Sequence, residues 1–251
     1  KIKFKARMVA KGFLQREGID YSEIFSPVVK HSSIRILLAF AAKFDMHIEQ
    51  LDVKTAFLHG NLDEIIYMTP PEGFSNFFKP NHVCLLQKSL YGLKQSSRQW
   101  YKRFDSFMIE NQFSRSRFDA CVYFKTVKHE HVYLLLYVDD MLLICKNMRI
   151  INVVKHQLNC AFEMKDLGHA NQILGMDIIR DRKARTLYLS QYAYIRKVLK
   201  RYLFEHVKPV NIPLGQHLKL SLNQSPRNED ETAFMNKIPY ANIVGSLMYA
   251  M

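Results

Sequence analysis

The sequence has 251 residues, of which 48% are hydrophobic, and 36 Lys and Arg against 23 Asp and Glu give it a formal net charge of +13. This length allows one large domain, or two or three small ones, with an apolar core. The four cysteines have no C-x-x-C spacing, which argues against a disulfide framework and a zinc site. The basic, polar start argues against a signal peptide. The sequence also lacks an apolar run of about 20 residues, which argues against a membrane span.

Eight segments combine apolar alternation with β-branched residues and are therefore predicted to form strands. In chain order they are Phe4–Val9, Ile48–Val53, Val83–Leu86, Val122–Thr126, Val132–Val138, Met141–Cys145, Ile173–Ile179 and Thr186–Leu189.

Four segments have the periodicity of helices, with serines at three of the four starts as predicted N-caps. The segments are His31–Phe44 with Ser32 or Ser33 as cap, Gln95–Phe113 with Ser96 or Ser97, Asn147–Phe162, and Ser190–Tyr202 with Ser190. In the second segment, Trp100, Phe104, Phe107 and Met108 form a stripe that predicts a core face. Strands and helices are interspersed without a strict βαβ repeat, which indicates an α+β fold. Residues 68–82 are predicted to form an irregular loop and Asn223–Thr232 a linker.

Two adjacent carboxylates, Asp139 and Asp140, interrupt the apolar run LLLYVDDMLLI at residues 134–144. The flanking segments can pair as a hairpin with the two aspartates at its tip, although two-residue turns prefer Asn-Gly or Asp-Gly. A turn whose residues depart from these preferences, and which stands on two apolar strands, indicates a functional site. A solvated turn with two harmless acids is the alternative interpretation.

Asp52 ends another short apolar strand, in the stretch IEQLDVKTAFLHG. If the two strands belong to one sheet, three carboxylates converge, and their mutual repulsion calls for a cation. Hard oxygen ligands suit Mg²⁺, and two such ions about 4 Å apart can stabilise the attacking and leaving oxygens of a phosphoryl transfer. A basic surplus favours a nucleic acid partner, although a merely basic surface is an equal alternative. Together these features predict chemistry on nucleotides.

Six stretches carry a resemblance to a known family, in that family's order and along essentially the whole chain. They are KARMVAKGFLQREGIDYSEIFSPVV, LDVKTAFLHGNLDEIIYMTPPEGF, SLYGLKQSSRQWYKRF, YVDDMLL, MKDLGHANQILGMDI and PYANIVGSLMYAM. The box formed by Tyr137, Val138, Asp139 and Asp140 is similar to the YVDD box of reverse transcriptases. The whole set resembles the copia-type branch of retrotransposon reverse transcriptases.

The resemblance implies a right-hand polymerase with fingers, palm and partial thumb. Residues 1–45 and 62–90 are expected to form the fingers, and residues 46–61 and 91–170 the palm. Residues 171–251 are expected to form the primer grip and the start of the thumb or connection. The chain is thus expected to be a polymerase core without RNase H, integrase or protease.

The resemblance also assigns Asp52, Asp139 and Asp140 to a catalytic, metal-binding triad. Asp52 and Asp139 are expected to ligate both of two Mg²⁺ ions, with Mn²⁺ as a substitute, and Asp140 to be more peripheral. The ions would lower the pKa of the primer 3′-hydroxyl, align the α-phosphate and hold the departing pyrophosphate.

Phe57, five positions after Asp52, matches the family's steric gate, which rejects a ribose 2′-hydroxyl; a core phenylalanine is the alternative. Arg7 and Lys11, on the predicted first strand, resemble the residues that grip the incoming triphosphate. Lys5 is a further candidate for that grip, because the alignment there is loose by one position. A solvated basic strand is the competing interpretation.

Tyr91, Gly92 and Lys94 lie in SLYGLKQSSR, which resembles the motif beneath the nucleotide. Tyr91 and Gly92 are expected to pack against its sugar and base, and Lys94 to contact a phosphate. Ser97 replaces the family's usual Pro, which is expected to loosen the helix start without abolishing activity. A second stretch, ILGMDI, contains Leu174, Gly175 and Met176 and resembles the primer grip.

The leading interpretation is an RNA-directed DNA polymerase core that acts on an RNA template, a DNA or tRNA primer and deoxynucleotides, with no membrane partner. The resemblance implies a larger polyprotein with integrase and RNase H, located in a cytoplasmic virus-like particle and later in the nucleus. The oligomeric state stays open. A catalytically inactive nucleic-acid-binding remnant is the second interpretation, and a two-metal nuclease or phosphatase is the third.

Overall fold

The computed structural model describes residues 4, 6–74, 77, 79, 81–212, 215 and 217–250. The chain divides into two compact units, Lys1–Ala170 with Arg180–Leu187 and Asn171–Ile179 with Tyr188–Met251. Helices are mixed with antiparallel sheets, so the predicted α+β class is confirmed. None of the helices in the described ranges has the length and apolarity needed to cross a membrane.

The described residues form eleven strands and six α-helices. The strands are β1 (His47–Val53), β2 (Tyr67–Met68), β3 (Cys84–Leu85), β4 (Ser114–Arg115), β5 (Val122–Val127), β6 (Glu130–Tyr137), β7 (Asp140–Cys145), β8 (Met164–His169), β9 (Gln172–Ile173), β10 (Met176–Asp181) and β11 (Thr186–Ser190). The helices are α1 (His31–Lys43), α2 (Ser96–Glu110), α3 (Met148–Ala161), α4 (Tyr192–Arg201), α5 (Glu229–Asn236) and α6 (Tyr240–Ala250). Short 3-10 turns lie at Gly12–Leu14, Ala56–His59 and Leu222–Gln224.

A six-stranded antiparallel sheet organises the first unit, in the order β4-β5-β6-β7-β1-β8. Strand β7 lies inside this sheet, and its residues Met141–Cys145 are all buried. Strands β4 and β8 are the edges. The register of β8 on β1 shifts between Gln50 and Leu51, which marks a bulge or irregularity at that edge.

Helices α2 and α3 cover one face of this sheet, and their apolar stripes fill a single core. Trp100, Phe104 and Met108 follow one another at a spacing of four residues along α2, and all three are buried with Leu51 and Leu143 of the sheet. The predicted core stripe of this helix is therefore confirmed. Helix α1 lies against the other face of the sheet. The ring of its Phe40 contacts the ring of Tyr133 in β6, with 6.4 Å between the centroids.

The predicted strand Phe4–Val9 is wrong for the residues that the structure describes, since residues 4 and 6–9 are not in a strand. Lys5 lies outside the described residues. A strand needs a hydrogen-bonded neighbour, and the described residues of this segment are exposed. Just after it, the Ala10 N–H donates to the Tyr91 carbonyl at 2.7 Å.

The predicted strand Ile173–Ile179 is also wrong, because it is split into β9 and β10. Leu174 and Gly175 have φ values of 51° and 73° and connect the two strands, which pair through Met176 and Ile173. Two successive residues with positive φ are the requirement of a tight hairpin turn. The predicted strand Val83–Leu86 shrinks to the two residues of β3.

The serines predicted as N-caps of α1 and α2 are wrong, because all four lie inside the helices. They are Ser32, Ser33, Ser96 and Ser97, and the residues at the cap positions are Lys30 and Gln95. Ser33 instead donates a hydrogen bond of 2.6 Å to the Asp119 carboxylate, which also accepts from the Lys30 N–H. A distant acid thus supplies the acceptor at the start of α1 that a local serine was expected to supply.

Two further departures from prediction lie in the second unit. The cap position of α4 is Gln191 rather than Ser190, although the Ser190 hydroxyl accepts a hydrogen bond from the Tyr192 N–H at 3.2 Å. The predicted linker Asn223–Thr232 already contains the start of α5. There the Asn228 side chain caps the helix by accepting from the Glu231 N–H at 2.8 Å.

A buried ammonium group joins α3 to the sheet. The Nζ of Lys155 lies 2.7 Å from Glu49 of β1 and 2.9 Å from Asp166 of β8, and both Lys155 and Glu49 are buried. Burial alone would lower the pKa of Lys155, but the hydrogen bonds and charges of the two carboxylates raise it above its ordinary value. The helix is therefore fixed to two neighbouring strands by one charged group.

Lys155→Met is expected to lower the free energy of unfolding by about 3 kcal/mol, because buried Glu49 would lose its ammonium partner and keep the exposed His169 ring as its basic neighbour. The matched control is Lys54→Met, which breaks the exposed pair of Lys54 and Glu163, 2.6 Å apart. That loss should cost less than about 1 kcal/mol. Urea unfolding of both variants measures the difference, and equal losses would contradict a structural role for the buried cluster.

Candidate active site

The central strands bring two of the three predicted acids to directly opposed positions. In the antiparallel pair of β1 and β7, Asp52 is the register partner of Asp140. Opposed residues of such a pair have Cα atoms about 4.5–5.5 Å apart. By strand alternation both side chains are on the sheet face that α1 covers, away from the core under α2 and α3.

Asp139 joins this pair through its backbone. Its carbonyl accepts a hydrogen bond from the N–H of Val53, the residue after Asp52, at 2.8 Å. The end of β1 is therefore tied to the turn between β6 and β7. All three acids lie at the same end of the two central strands.

The turn itself differs from the prediction by one residue. Tyr137 and Asp140 form the last pair of the hairpin, so Val138 and Asp139 make the turn and Asp140 already belongs to β7. Val138 has φ of 55°, a conformation that two-residue hairpin turns require but that a β-branched residue rarely adopts. Asp-Asp was therefore wrong as the tip, and the unfavourable residue in the turn is the valine.

Trp100 of α2 contacts this turn. Its indole Nε1–H donates to the Val138 carbonyl at 2.6 Å, while the residue as a whole is 2% exposed. The sequence pattern had placed Trp100 only in the core stripe. Helical periodicity identifies the buried face of α2, but it contains no information about a hydrogen bond to a turn 38 residues away.

The acids act on one another electrostatically. Burial raises the pKa of Asp140, and the nearby charges of Asp139 and Asp52 raise it further, while the Gln50 amide opposes the shift by donating to Asp140 Oδ1 at 3.5 Å. Lys165 of β8 is the register partner of Asp52 on the other side of β1. Sequence reasoning missed Lys165 because β8 was not predicted, and it missed Gln50 because the register of β1 against β7 was not predicted.

Three of the predicted nucleotide-binding residues lie together near these acids. The rings of Phe57 and Tyr91 are in contact with 4.9 Å between centroids, and the guanidinium of Arg7 lies 5.6 Å from the centre of the Tyr91 ring. Burial raises the pKa of Tyr91, and the charges of Asp139 and Asp52 add to the shift. An aromatic pair and a cation therefore stand beside the carboxylates.

The other three predicted nucleotide-binding residues have different surroundings. Gly92 has φ of 92°, and a Cβ there would lie 2.1 Å from the Ala10 carbonyl oxygen, so its lack of a side chain permits backbone packing. The Nζ of Lys94 lies 3.1 Å from the Tyr21 hydroxyl. Lys11 is exposed. Contacts of these residues with a nucleotide stay predictions.

The predicted primer grip lies in the second compact unit. Leu174 and Gly175 form the turn between β9 and β10, and Met176 begins β10. The Tyr249 hydroxyl of α6 donates to the Leu174 carbonyl at 3.0 Å. A tight, hydrogen-bonded turn thus presents these residues, and their contact with a primer stays a prediction.

The donor chemistry of the three acids fits a divalent cation. Carboxylate oxygens are the ligands that Mg²⁺ prefers, and the repulsion that raises the pKa of Asp140 is what a cation would relieve. Within the described residues, no group of three or more His, Cys, Asp or Glu side chains is already arranged to hold an ion.

A family model described as reverse transcriptase (RNA-dependent DNA polymerase) matches residues 1–216. The retrovirus-related Pol polyprotein from transposon TNT 1-94 of Nicotiana tabacum is 54% identical over 251 residues, which are 100% of this chain and 19% of that protein. No solved structure matches the chain.

Two further relatives come from other transposons. The Pol polyprotein from transposon RE1 of Arabidopsis thaliana is 39% identical over 98% of this chain and 16% of its own length. A transposon Ty5-1 protein of Saccharomyces cerevisiae is 32% identical over 79% of this chain and 62% of its own length. The chain thus spans about a fifth or less of the two plant polyproteins.

Asp140→Asn is expected to raise the free energy of unfolding at pH 7, by up to about 1 kcal/mol, in the absence of divalent ions. The pKa of Asp140 is raised in the folded state, so its ionisation opposes folding, and its own contribution to stability falls as the pH rises from the ordinary value of 3.8 through the raised one. Urea unfolding of the wild type and of Asp140→Asn from pH 3 to pH 7 measures this contribution as the difference between the two proteins.

The control is Asp63→Asn, for which the opposite sign is expected. Hydrogen bonds from Lys102 and Gln99 lower the pKa of Asp63, so its charge stabilises the fold and its removal should reduce stability slightly. An Asp140→Asn variant that is less stable than the wild type at pH 7 would contradict repulsion among the three acids.

Proposed function

Because the chain belongs to the reverse transcriptase family, we propose that it extends a primer 3′ end with deoxynucleotides on an RNA or DNA template. The observation that carries this proposal is the register of the central strands, in which Asp52 opposes Asp140 and the Asp139 carbonyl is bonded to Val53. This arrangement brings three carboxylates from distant parts of the sequence to one end of a rigid sheet.

We propose that Asp52 and Asp139 hold two Mg²⁺ ions, with Mn²⁺ as a substitute, and that Asp140 has a more peripheral role. Bound ions supply the Lewis acidity that activates the primer 3′-hydroxyl and neutralises charge on the phosphates. The protein's own contribution is to hold the acids on paired strands, since the reaction depends on positioning and electrostatic stabilisation. The raised pKa of Asp140 agrees with an anionic cluster that gains from a cation.

The residues beside the acids support a nucleotide site. Arg7, whose guanidinium lies 5.6 Å from the centre of the Tyr91 ring, is proposed to supply a cation for the triphosphate. The Phe57 ring, which contacts Tyr91 and is partly buried against the core, is proposed to exclude a ribose 2′-hydroxyl and to support the sugar. Lys94 and Lys11 are proposed to add positive charge to the triphosphate path, and Gly92 to allow close approach of the backbone.

The division into subdomains is part of the proposal. The six-stranded sheet with α2 and α3 supports a palm formed by residues 46–61 and 91–170, with fingers at 1–45 and 62–90. Residues 171–251 are proposed to contain the primer grip at Leu174, Gly175 and Met176, followed by the start of the thumb. The large net charge of +13 supports an RNA template and a DNA or tRNA primer as partners.

The matching plant relatives are Pol polyproteins by name. We therefore propose that the chain works as part of such a polyprotein, together with RNase H and integrase, in a cytoplasmic virus-like particle and later in the nucleus.

Asp139→Asn is expected to reduce primer extension by about a hundredfold or more, because it removes a charged ligand at the point where charge develops. Extension of a labelled primer on RNA and DNA templates with Mg²⁺ or Mn²⁺ measures the change. The matched control is Asp181→Asn, at the last residue of β10, which keeps the side-chain oxygen that accepts from the Ala184 N–H. This control should extend the primer like the wild type.

Equal extension by wild type and Asp139→Asn would remove the catalytic assignment. If neither protein extends a primer but both bind nucleic acid with an affinity that falls steeply with salt, the chain is an inactive binding remnant. Hydrolysis of nucleic acid without nucleotide addition would instead support a two-metal nuclease.

A further inference from the structure

The turn that carries Asp139 contains an unfavourable backbone conformation. Val138 has φ of 55°, and its branched Cβ makes this left-handed region costly. Such a conformation persists only where surrounding contacts determine it. The contacts that hold Val138 therefore decide where the next residue, Asp139, is placed.

One of these contacts comes from a side chain with a fixed direction. Trp100 is 2% exposed, and its ring packs against Phe104 and Phe162, with centroids 5.5 Å and 5.2 Å away. The indole has one polar hydrogen, and it is donated to the Val138 carbonyl at 2.6 Å. Because core packing holds the Trp100 ring in one orientation, this hydrogen bond forms only when the Val138 carbonyl points toward the indole nitrogen.

The accepting carbonyl and the Asp139 N–H belong to the same peptide unit. Rotation of that peptide would turn the Val138 carbonyl away from Trp100 and would change the backbone angles on both sides of it. The following carbonyl, that of Asp139, is held by the Val53 N–H at 2.8 Å. Two successive carbonyls are thus fixed from two directions, one by the core and one by the strand that contains Asp52.

We propose that Trp100 is a positioning residue for the reaction: its indole N–H selects the turn conformation that places the Asp139 carboxylate relative to Asp52. This inference rests on the proposed function for its catalytic consequence. Its structural part, the hold on the turn, is independent of activity. Trp100 itself touches no reacting atom in this proposal and acts through the peptide between Val138 and Asp139.

The test uses the fact that the chain has one tryptophan. Expression with a tryptophan analogue whose ring N–H is replaced by sulfur changes only position 100 and keeps the shape of the ring. The Val53 amide is the reporter, because it donates to the carbonyl of Asp139. Its hydrogen exchange, measured relative to the slowest core amides, should become about tenfold faster, the size expected for a lost hydrogen bond.

Primer extension provides the second measurement. The analogue should lower kcat by about tenfold and leave the KM for deoxynucleotides within about twofold, because an interaction needed for positioning is lost while nucleotide contacts are kept. The control is Phe104→Leu, which removes volume from the same aromatic cluster without touching the turn. Phe104→Leu should lower global stability but leave the relative exchange of the Val53 amide and kcat near wild type.

The outcomes separate this inference from the proposed function. Unchanged Val53 exchange in the sulfur analogue overturns the inference, as does an equal acceleration in Phe104→Leu, since packing alone would then explain it. If the native chain extends no primer, the proposed function fails, and the exchange of the Val53 amide alone decides whether Trp100 holds the turn.

Discussion

The antiparallel pairing of β1 with β7 determines how the acids of this protein are arranged, because its register sets Asp52 opposite Asp140. The hydrogen bond from the Val53 N–H to the Asp139 carbonyl extends this pairing to the turn that leads into β7. Register is decisive because a slip of one residue would move every side chain to the opposite face of the sheet. Asp52 would then point into the apolar core beneath α2 and α3. The buried alternation of β1 and β7 therefore specifies the acid cluster as well as the fold.

In this arrangement, three carboxylates repel one another at the end of a well-packed sheet. The strands that carry the acids are among the most buried in the chain, and the pKa of Asp140 is raised by burial and by its acidic neighbours. The fold tolerates this because its stability comes from elsewhere, namely the aromatic cluster on α2 and the buried Lys155 between Glu49 and Asp166. Charge that is unfavourable for folding is thereby available for binding cations, as expected of a site that trades stability for function.

Much of this could be predicted from the sequence, and the rest could not for identifiable reasons. Alternation of apolar residues correctly predicted β1, β6 and β7, because each strand has a face that must be buried. It did not predict β8, because two of its six residues, Lys165 and Asp166, are charged. It also did not predict the turn at Leu174, because positive φ values and not the apolar pattern end the strand there. The segment before Ala10 looked like a strand by pattern, but its described residues, 4 and 6–9, are not in a strand. The bond from Trp100 to Val138 was invisible for a similar reason, since periodicity reports which side of a helix is buried and never which distant carbonyl it meets.

The two edges of the six-stranded sheet have a consequence for the behaviour of the protein at high concentration. At one edge β4 has two residues, and at the other β8 carries Lys165, Asp166 and an irregular register against β1. Short, charged or bulged edges resist the addition of a strand from another molecule. The apolar centre of the sheet is thus shielded from intermolecular β-pairing, so many copies can be crowded together without aggregating through the strands that carry the acids.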